Sequence, residues 1–221
     1  MNNARNTAMA TALLAMLAAC GNDTSDGTGG SAIDALIKTT ADAALSRRAA
    51  KSDAPASAPK TPQEAAAEAL RVNPGPLIQV GFEGLGKTQI MALTGQNGSM
   101  RTYMTPSEEA LIMRNGILIG TRGLGHDLSV AEPQTEALIR SGRSGSAQRV
   151  MRYFAGDGKE RPLQFTCTVG AGPKPGVTVE DCNGHGTSFQ NSYIRQGGQI
   201  TVSRQWIGPA LGYVTVQTLR P

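Results

Sequence analysis

Residues 110–122, ALIMRNGILIGTR, decide the fold: two short apolar runs, 110–114 and 117–122, flank the dipeptide Asn115-Gly116. Asn-Gly between β-forming runs marks a tight hairpin, because both turn positions take positive φ and the turn then matches the right-handed twist of its strands. Outward from this hairpin the same grammar repeats. Strand-like runs occupy 77–82, 88–94, 100–105, 149–155, 163–169, 177–181, 188–195, 199–206 and 213–219. Between them lie turn formers such as Gln96-Asn97-Gly98, Gly156-Asp157-Gly158, Gly172-Pro173 and Gly197-Gly198. Short strands joined by glycine turns, without a repeating helical crossover, predict an all-β domain: an antiparallel meander forming a sandwich or barrel. One or two short helices belong to its N-terminal side. Thr61-Pro62-Gln63-Glu64 is a capping box with proline at the first helical position, which predicts a helix from Pro62 to about Val72. Farther on, only residues 132–143 have room for a small second helix.

The first twenty residues, MNNARNTAMATALLAMLAAC, place the single charge of Arg5 ahead of an apolar run at 8–19 that only Thr11 interrupts. That is the make-up of a secretory signal peptide, and it is too short to span a bilayer, which takes about 20 apolar residues. Leu17-Ala18-Ala19-Cys20 resembles the bacterial lipobox, which implies a signal peptide at 1–19 and lipid attachment, palmitate included, at Cys20. Each buried methylene contributes roughly 0.8 kcal/mol and stable anchoring takes more than one chain, so a triacylated Cys20 needs no further membrane segment. Gly21 rather than aspartate follows, and the expected address is the periplasmic face of the outer membrane. Residues 20–60 are expected to be a lipid-anchored tether. It is glycine-rich at 21–31, helically spaced at 32–50 and linker-like at 51–60, and the ordered domain is expected at 61–221.

Removing 19 residues from 221 leaves 202, and losing Arg5 lowers the formal charge from +4 to +3. Such mild basicity lacks the dense Lys/Arg field of a nucleic-acid binder. Charge concentrates at 140–161, where Arg140, Arg143, Arg149, Arg152, Lys159 and Arg161 face only Asp157 and Glu160. A stripe of this kind suits an anionic polysaccharide, lipid headgroups or an acidic partner, and equally a solvated strand face. Cys167 and Cys182 form an even pair in an oxidising compartment, which predicts a structural disulfide. Cys182 and His185 have a C-x-x-H spacing, with His126 elsewhere, but zinc needs thiolates that such a compartment removes. Neither a metal nor a cofactor is expected.

Gly81-Phe82-Glu83-Gly84-Leu85-Gly86-Lys87-Thr88 fits the phosphate-binding G-x-x-x-x-G-K-T pattern. That motif works because a helix begins at the lysine and presents its N-terminus to phosphate. Here residues 88–93 run at once into Thr94-Gly95-Gln96-Asn97-Gly98, leaving no room for the helix. The segment is therefore expected to be a strand-to-strand loop that takes no nucleotide.

Two stretches, 114–128 (RNGILIGTRGLGHDL) and 203–221 (SRQWIGPALGYVTVQTLRP), resemble the YjbF family of group 4 capsule polysaccharide lipoproteins. The first matches its strand, Asn-Gly turn, strand and TRGLG-D-L signature; the second matches its S-x-Q-W-I-G-P ending. Glu180-Asp181-Cys182 and Phe189-Gln190-Asn191-Ser192-Tyr193 follow its E-x-C and F-x-N-x-Y patterns, and TPQEAAAEAL with PGPLIQV looks like its domain start. The resemblance covers 61–221 and the lipobox. It implies a non-enzymatic accessory in capsule or exopolysaccharide assembly or export, docked on an outer-membrane export barrel or other polysaccharide-secretion proteins.

Candidate contacts to such a partner or polymer are Arg122, Asp127, Arg149, Arg152 and Trp206. Arg122 is expected to pair with Asp127 in a glycine-rich turn or to present its guanidinium outward. Trp206, beside Gly208-Pro209, is suited to a core position or to stacking on a sugar. Two other readings stand beside this one: a periplasmic polysaccharide-modifying enzyme using His126 or His185, and a binding module for anionic polysaccharide using the 140–161 stripe. A carboxylate-pair hydrolase is disfavoured, since adjacent residues in Glu108-Glu109 and Glu180-Asp181 point apart.

Overall fold

The computed structural model describes residues 60–221. The expectations for the signal peptide, Cys20 and nearly all of the tether, its helix included, fall outside these residues. Helix α1 (Pro62–Val72) comes first, then β1 (Leu77–Phe82), β2 (Lys87–Asn97), β3 (Met100–Met104), β4 (Ala110–Arg114) and β5 (Ile117–Arg122). They are followed by β6 (Leu128–Pro133), a short helix α2 (Glu136–Ser141), β7 (Gly145–Phe154) and β8 (Glu160–Ala171). The last strands are β9 (Val177–Gly184), β10 (Thr187–Gln196), β11 (Gln199–Gly208) and β12 (Gly212–Arg220). All pairings are antiparallel, and the order β5-β4-β3-β2-β1-β12-β11-β10-β9-β8-β7-β6 curls into a nearly closed barrel of 12 strands. Pairing of β1 with β12 makes the meander continuous.

The capping box at α1 forms as expected: the Glu64 amide donates to Thr61 Oγ1, and the Thr61 amide donates to the Glu64 carboxylate at 2.8 Å. At its other end the Arg220 guanidinium donates to the carbonyls of Leu70 and Asn73, satisfying acceptors that a helix terminus leaves free. This pins α1 against β1, β2 and β12.

Strand β5 shows how the barrel ends are managed. Its residues Ile117 through Thr121 are all buried, with Leu118 in the main core and Ile117 in a second apolar cluster with Ile139 of α2, Val169, Tyr193 and Ile200. As an end strand it lacks a ladder partner on one side, and a buried unpaired amide is costly. Gln205 of β11 fills the gap across the interior: its Oε1 accepts from the Leu118 amide at 2.9 Å, and its Nε2 donates to the Gly116 carbonyl and Ser203 Oγ. The Asn115-Gly116 turn has the positive φ angles expected of it, 51° and 83°. It packs so tightly that a Cβ on Gly116 would lie 2.6 Å from Ile200 Cβ.

Ends β5 and β6 lie side by side without a backbone ladder between them. Asp127 knits the connection, accepting from Thr121 Oγ1 at 2.8 Å and from the amides of Gly123 and Leu124, while the Leu128 amide donates to Thr121 Oγ1. The sequence gives little sign of β6. It is a short edge strand closed by Pro133, which has no amide to donate. The phosphate-loop pattern is resolved as well. Glu83–Leu85 form a 3-10 turn, Gly86 has φ 58°, and Lys87 opens β2 with its ammonium on Glu109 at 2.9 Å, so the segment joins two paired strands.

Gly116→Val forces a branched side chain into a positive-φ position against Ile200. Urea unfolding is expected to show a loss on the order of 2–4 kcal/mol. An unchanged midpoint would mean that the hairpin tip has room to spare.

Candidate functional site

Alternation along β7, β9 and β10 turns Arg149, Glu180, Asn191 and Tyr193 into the barrel, where all four are buried. Strand register sets Asn191 opposite Glu180 and Cys182 opposite Phe189. The Arg149 guanidinium grips Glu180 through two bonds, Nε to Oε1 at 3.1 Å and Nη2 to Oε2 at 2.9 Å. Thr135 Oγ1, Asn191 Nδ2 and the Tyr193 hydroxyl complete the carboxylate's shell. Asn191 then passes the network on, its Oδ1 accepting from the Trp206 amide at 2.7 Å.

Burial pushes the Glu180 carboxyl up, but the Arg149 charge and the donors from Arg149, Thr135 and Asn191 outweigh it and hold the group below its ordinary value. Burial, then the neighbouring Glu180 charge, drive the Tyr193 hydroxyl well up, so it remains a donor. These charges neutralise each other inside an apolar shell. Next to them Cys167 and Cys182, directly opposed on β8 and β9, are joined in a disulfide with S–S 2.04 Å. Phe165, Phe189 and Trp206 cover this region, with Phe189 stacked on Trp206 at 4.5 Å.

Several candidate contacts therefore need correction. Arg149, 2% exposed and committed to Glu180, offers no charge to a polymer. Trp206, 7% exposed, is a core residue with no face free for a sugar. Arg122 and Asp127 do not pair: Arg122 is exposed and donates to the Thr121 carbonyl, while Asp127 is spent on the turn. Nor is 140–161 one stripe. Arg149 points inward, Arg152 meets Glu132 at 3.2 Å and Arg161 meets Asp157 at 2.8 Å. Both histidines are exposed. Among the described residues His126 makes no side-chain hydrogen bond, and His185 accepts one from the Gln164 amide. The C-x-x-H thiol is bonded to Cys167.

The alternative sites thin out, and one recess stands out. At the barrel end where the β2–β3, β4–β5 and β10–β11 turns meet lies a cavity of about 250 Å³. Ile78, Met113 and Val216 form an apolar floor, and Gln96, Asn115 and Gln199 stand on the rim. Arg101 and Arg140 also line it, with no Asp or Glu side chain among the lining residues. Sequence reasoning missed this recess because its residues come from turns far apart along the chain.

With the geometry in place, the class is clear: a nearly closed antiparallel barrel of the kind found in a solved lipoprotein. The hypothetical lipoprotein YmcC from Escherichia coli (K12) shares the fold with a TM-score of 0.60 at 16% identity, over 88% of this chain and 98% of that one. The chain belongs to the family described as Group 4 capsule polysaccharide lipoprotein gfcB, YjbF, whose model matches residues 38–219. No curated protein matches the sequence.

Because the folded Glu180 carboxyl titrates below its ordinary 4.5, the stability it confers is full above that pH and is lost as pH falls through the folded value. Thermal unfolding should show Glu180→Gln to be less stable at neutral pH yet less sensitive to acid; an acid limb identical to that of the unchanged protein would count against this. Cys167→Ser with Cys182→Ser removes a cross-link spanning 15 residues and should cost about 3 kcal/mol in guanidinium unfolding. Equal stability would show the bridge to be dispensable.

Proposed function

We propose that the protein is a non-enzymatic accessory of capsule or exopolysaccharide assembly or export, held by lipid on Cys20 at the periplasmic face of the outer membrane. The observation that carries this reading is the family match over 38–219, under a description that names a capsule polysaccharide lipoprotein. The lipobox-like Leu17-Ala18-Ala19-Cys20 supports the anchor. The polar groups inside the barrel support a docking role over catalysis. Arg149, Glu180 and Tyr193 saturate one another, and the exposed histidines have no serine or carboxylate within hydrogen-bonding reach among the described residues. A general base needs a partner group to act on and one to orient it. The partner is an outer-membrane export barrel or another protein of polysaccharide secretion.

Gene deletion with complementation tests this. Surface polymer should fall on deletion, return with the native chain and with His126→Ala or His185→Ala, and fail to return with Cys20→Ser. Normal surface polymer in the deletion strain would overturn the role, and failure of either histidine variant would revive the enzyme.

A further inference from the structure

The cavity at the barrel end is built unlike the rest of the interior. Elsewhere buried charge is paired, Arg149 with Glu180 at 2.9 Å. Here Arg101 is half-buried, and among the described residues its one side-chain hydrogen bond is a long one of 3.4 Å from Nη1 to the Tyr103 hydroxyl. Arg140 is exposed and, among the described residues, neither guanidinium makes an ion pair, although Pro221, the last residue of the sequence, also lines the recess. Arg195 lies outside the lining and donates from Nη1 to the Arg140 carbonyl at 3.1 Å. Glu136, the nearby acid, is taken by Arg114 and Asn115, each at 2.7 Å. Two lining guanidinium groups without an ion-pair partner can give an incoming anion charge-assisted hydrogen bonds.

The remaining lining narrows the ligand. Amides of Gln96, Asn115 and Gln199 and hydroxyls of Ser99 and Thr201 offer both donors and acceptors around the rim. Ile78 and Met113 below them offer an apolar surface for C–H groups. A ligand with an anionic group, many hydroxyls and an apolar face is an acidic sugar. The volume of about 250 Å³ suits a small unit, below the roughly 300–1,000 Å³ of pockets for drug-sized ligands. We propose that this cavity binds an acidic sugar unit of a polysaccharide, its carboxylate or phosphate held by Arg101 and Arg140. The proposal deepens the polysaccharide role above and rests on it for the ligand's origin.

Calorimetric titration of the full chain in detergent tests it, using a glucuronate-containing oligosaccharide, a phosphate-bearing oligosaccharide, a neutral oligosaccharide of equal length and an aspartate-rich peptide. At least one acidic oligosaccharide should bind, and which of the two does so identifies the anionic group. The neutral oligosaccharide and the peptide should not bind. Arg101→Gln and Arg140→Gln should each weaken binding about tenfold, the loss of one charge-assisted bond. Arg140 is exposed, so its variant keeps the fold even if Arg101→Gln does not. Failure of both acidic oligosaccharides, equal binding of the neutral one, preference for the peptide, or unchanged affinity in Arg140→Gln would overturn the proposal. The deletion strain reports separately: lost surface polymer with no sugar binding sinks only the cavity, and normal polymer with sugar binding sinks only the export role.

Discussion

The interior of this barrel is organised by a charge pair that water cannot reach. Taking a guanidinium and a carboxylate out of water costs several kcal/mol per ion, and attraction between them offsets that only if geometry is good and the remaining lone pairs are satisfied. Arg149 and Glu180 meet both conditions through a two-pronged contact and donors from Thr135, Asn191 and Tyr193. Those residues sit on β7, β9 and β10 and in the connection before α2. Through the Trp206 amide the network also reaches β11. Moving any one of these strands by a residue would face its polar groups outward and strand a charge.

The same logic recurs where strands lack ladder partners. Gln205 serves the free edge of β5 from across the interior, and Asp127 holds the β5–β6 connection by its amides. Glu180, Asn191, Tyr193, Gln205, Thr121 and Asp127 all belong to stretches through which the chain resembles its family. Their shared task is to satisfy buried polar groups.

Much of the fold was legible. The bounds of β1, β4, β5 and α1 follow from turn formers and a capping box. The missed strand, β6, is short and proline-ended, and its neighbour in space contributes side-chain bonds in place of a ladder. The site was less legible, because a linear run of charge says nothing about which way each residue faces. Arg149 alternates with Met151 and Tyr153 toward the interior, whereas Arg152 falls on the other face. Reading E-x-C and F-x-N-x-Y by parity would have set Glu180, Cys182, Phe189, Asn191 and Tyr193 on inward positions. The end cavity had no such signal, since three separated turns converge there only after the sheet has curled.

A double-mutant cycle on the buried pair bears most directly on this picture. Arg149→Met, Glu180→Leu and the double variant would be compared by urea unfolding at neutral pH. Each single change leaves an unpaired buried charge and should cost about 3–5 kcal/mol, while the double variant should lose far less than their sum. Additive losses, or single variants as stable as the parent, would show that the barrel does not depend on this pair.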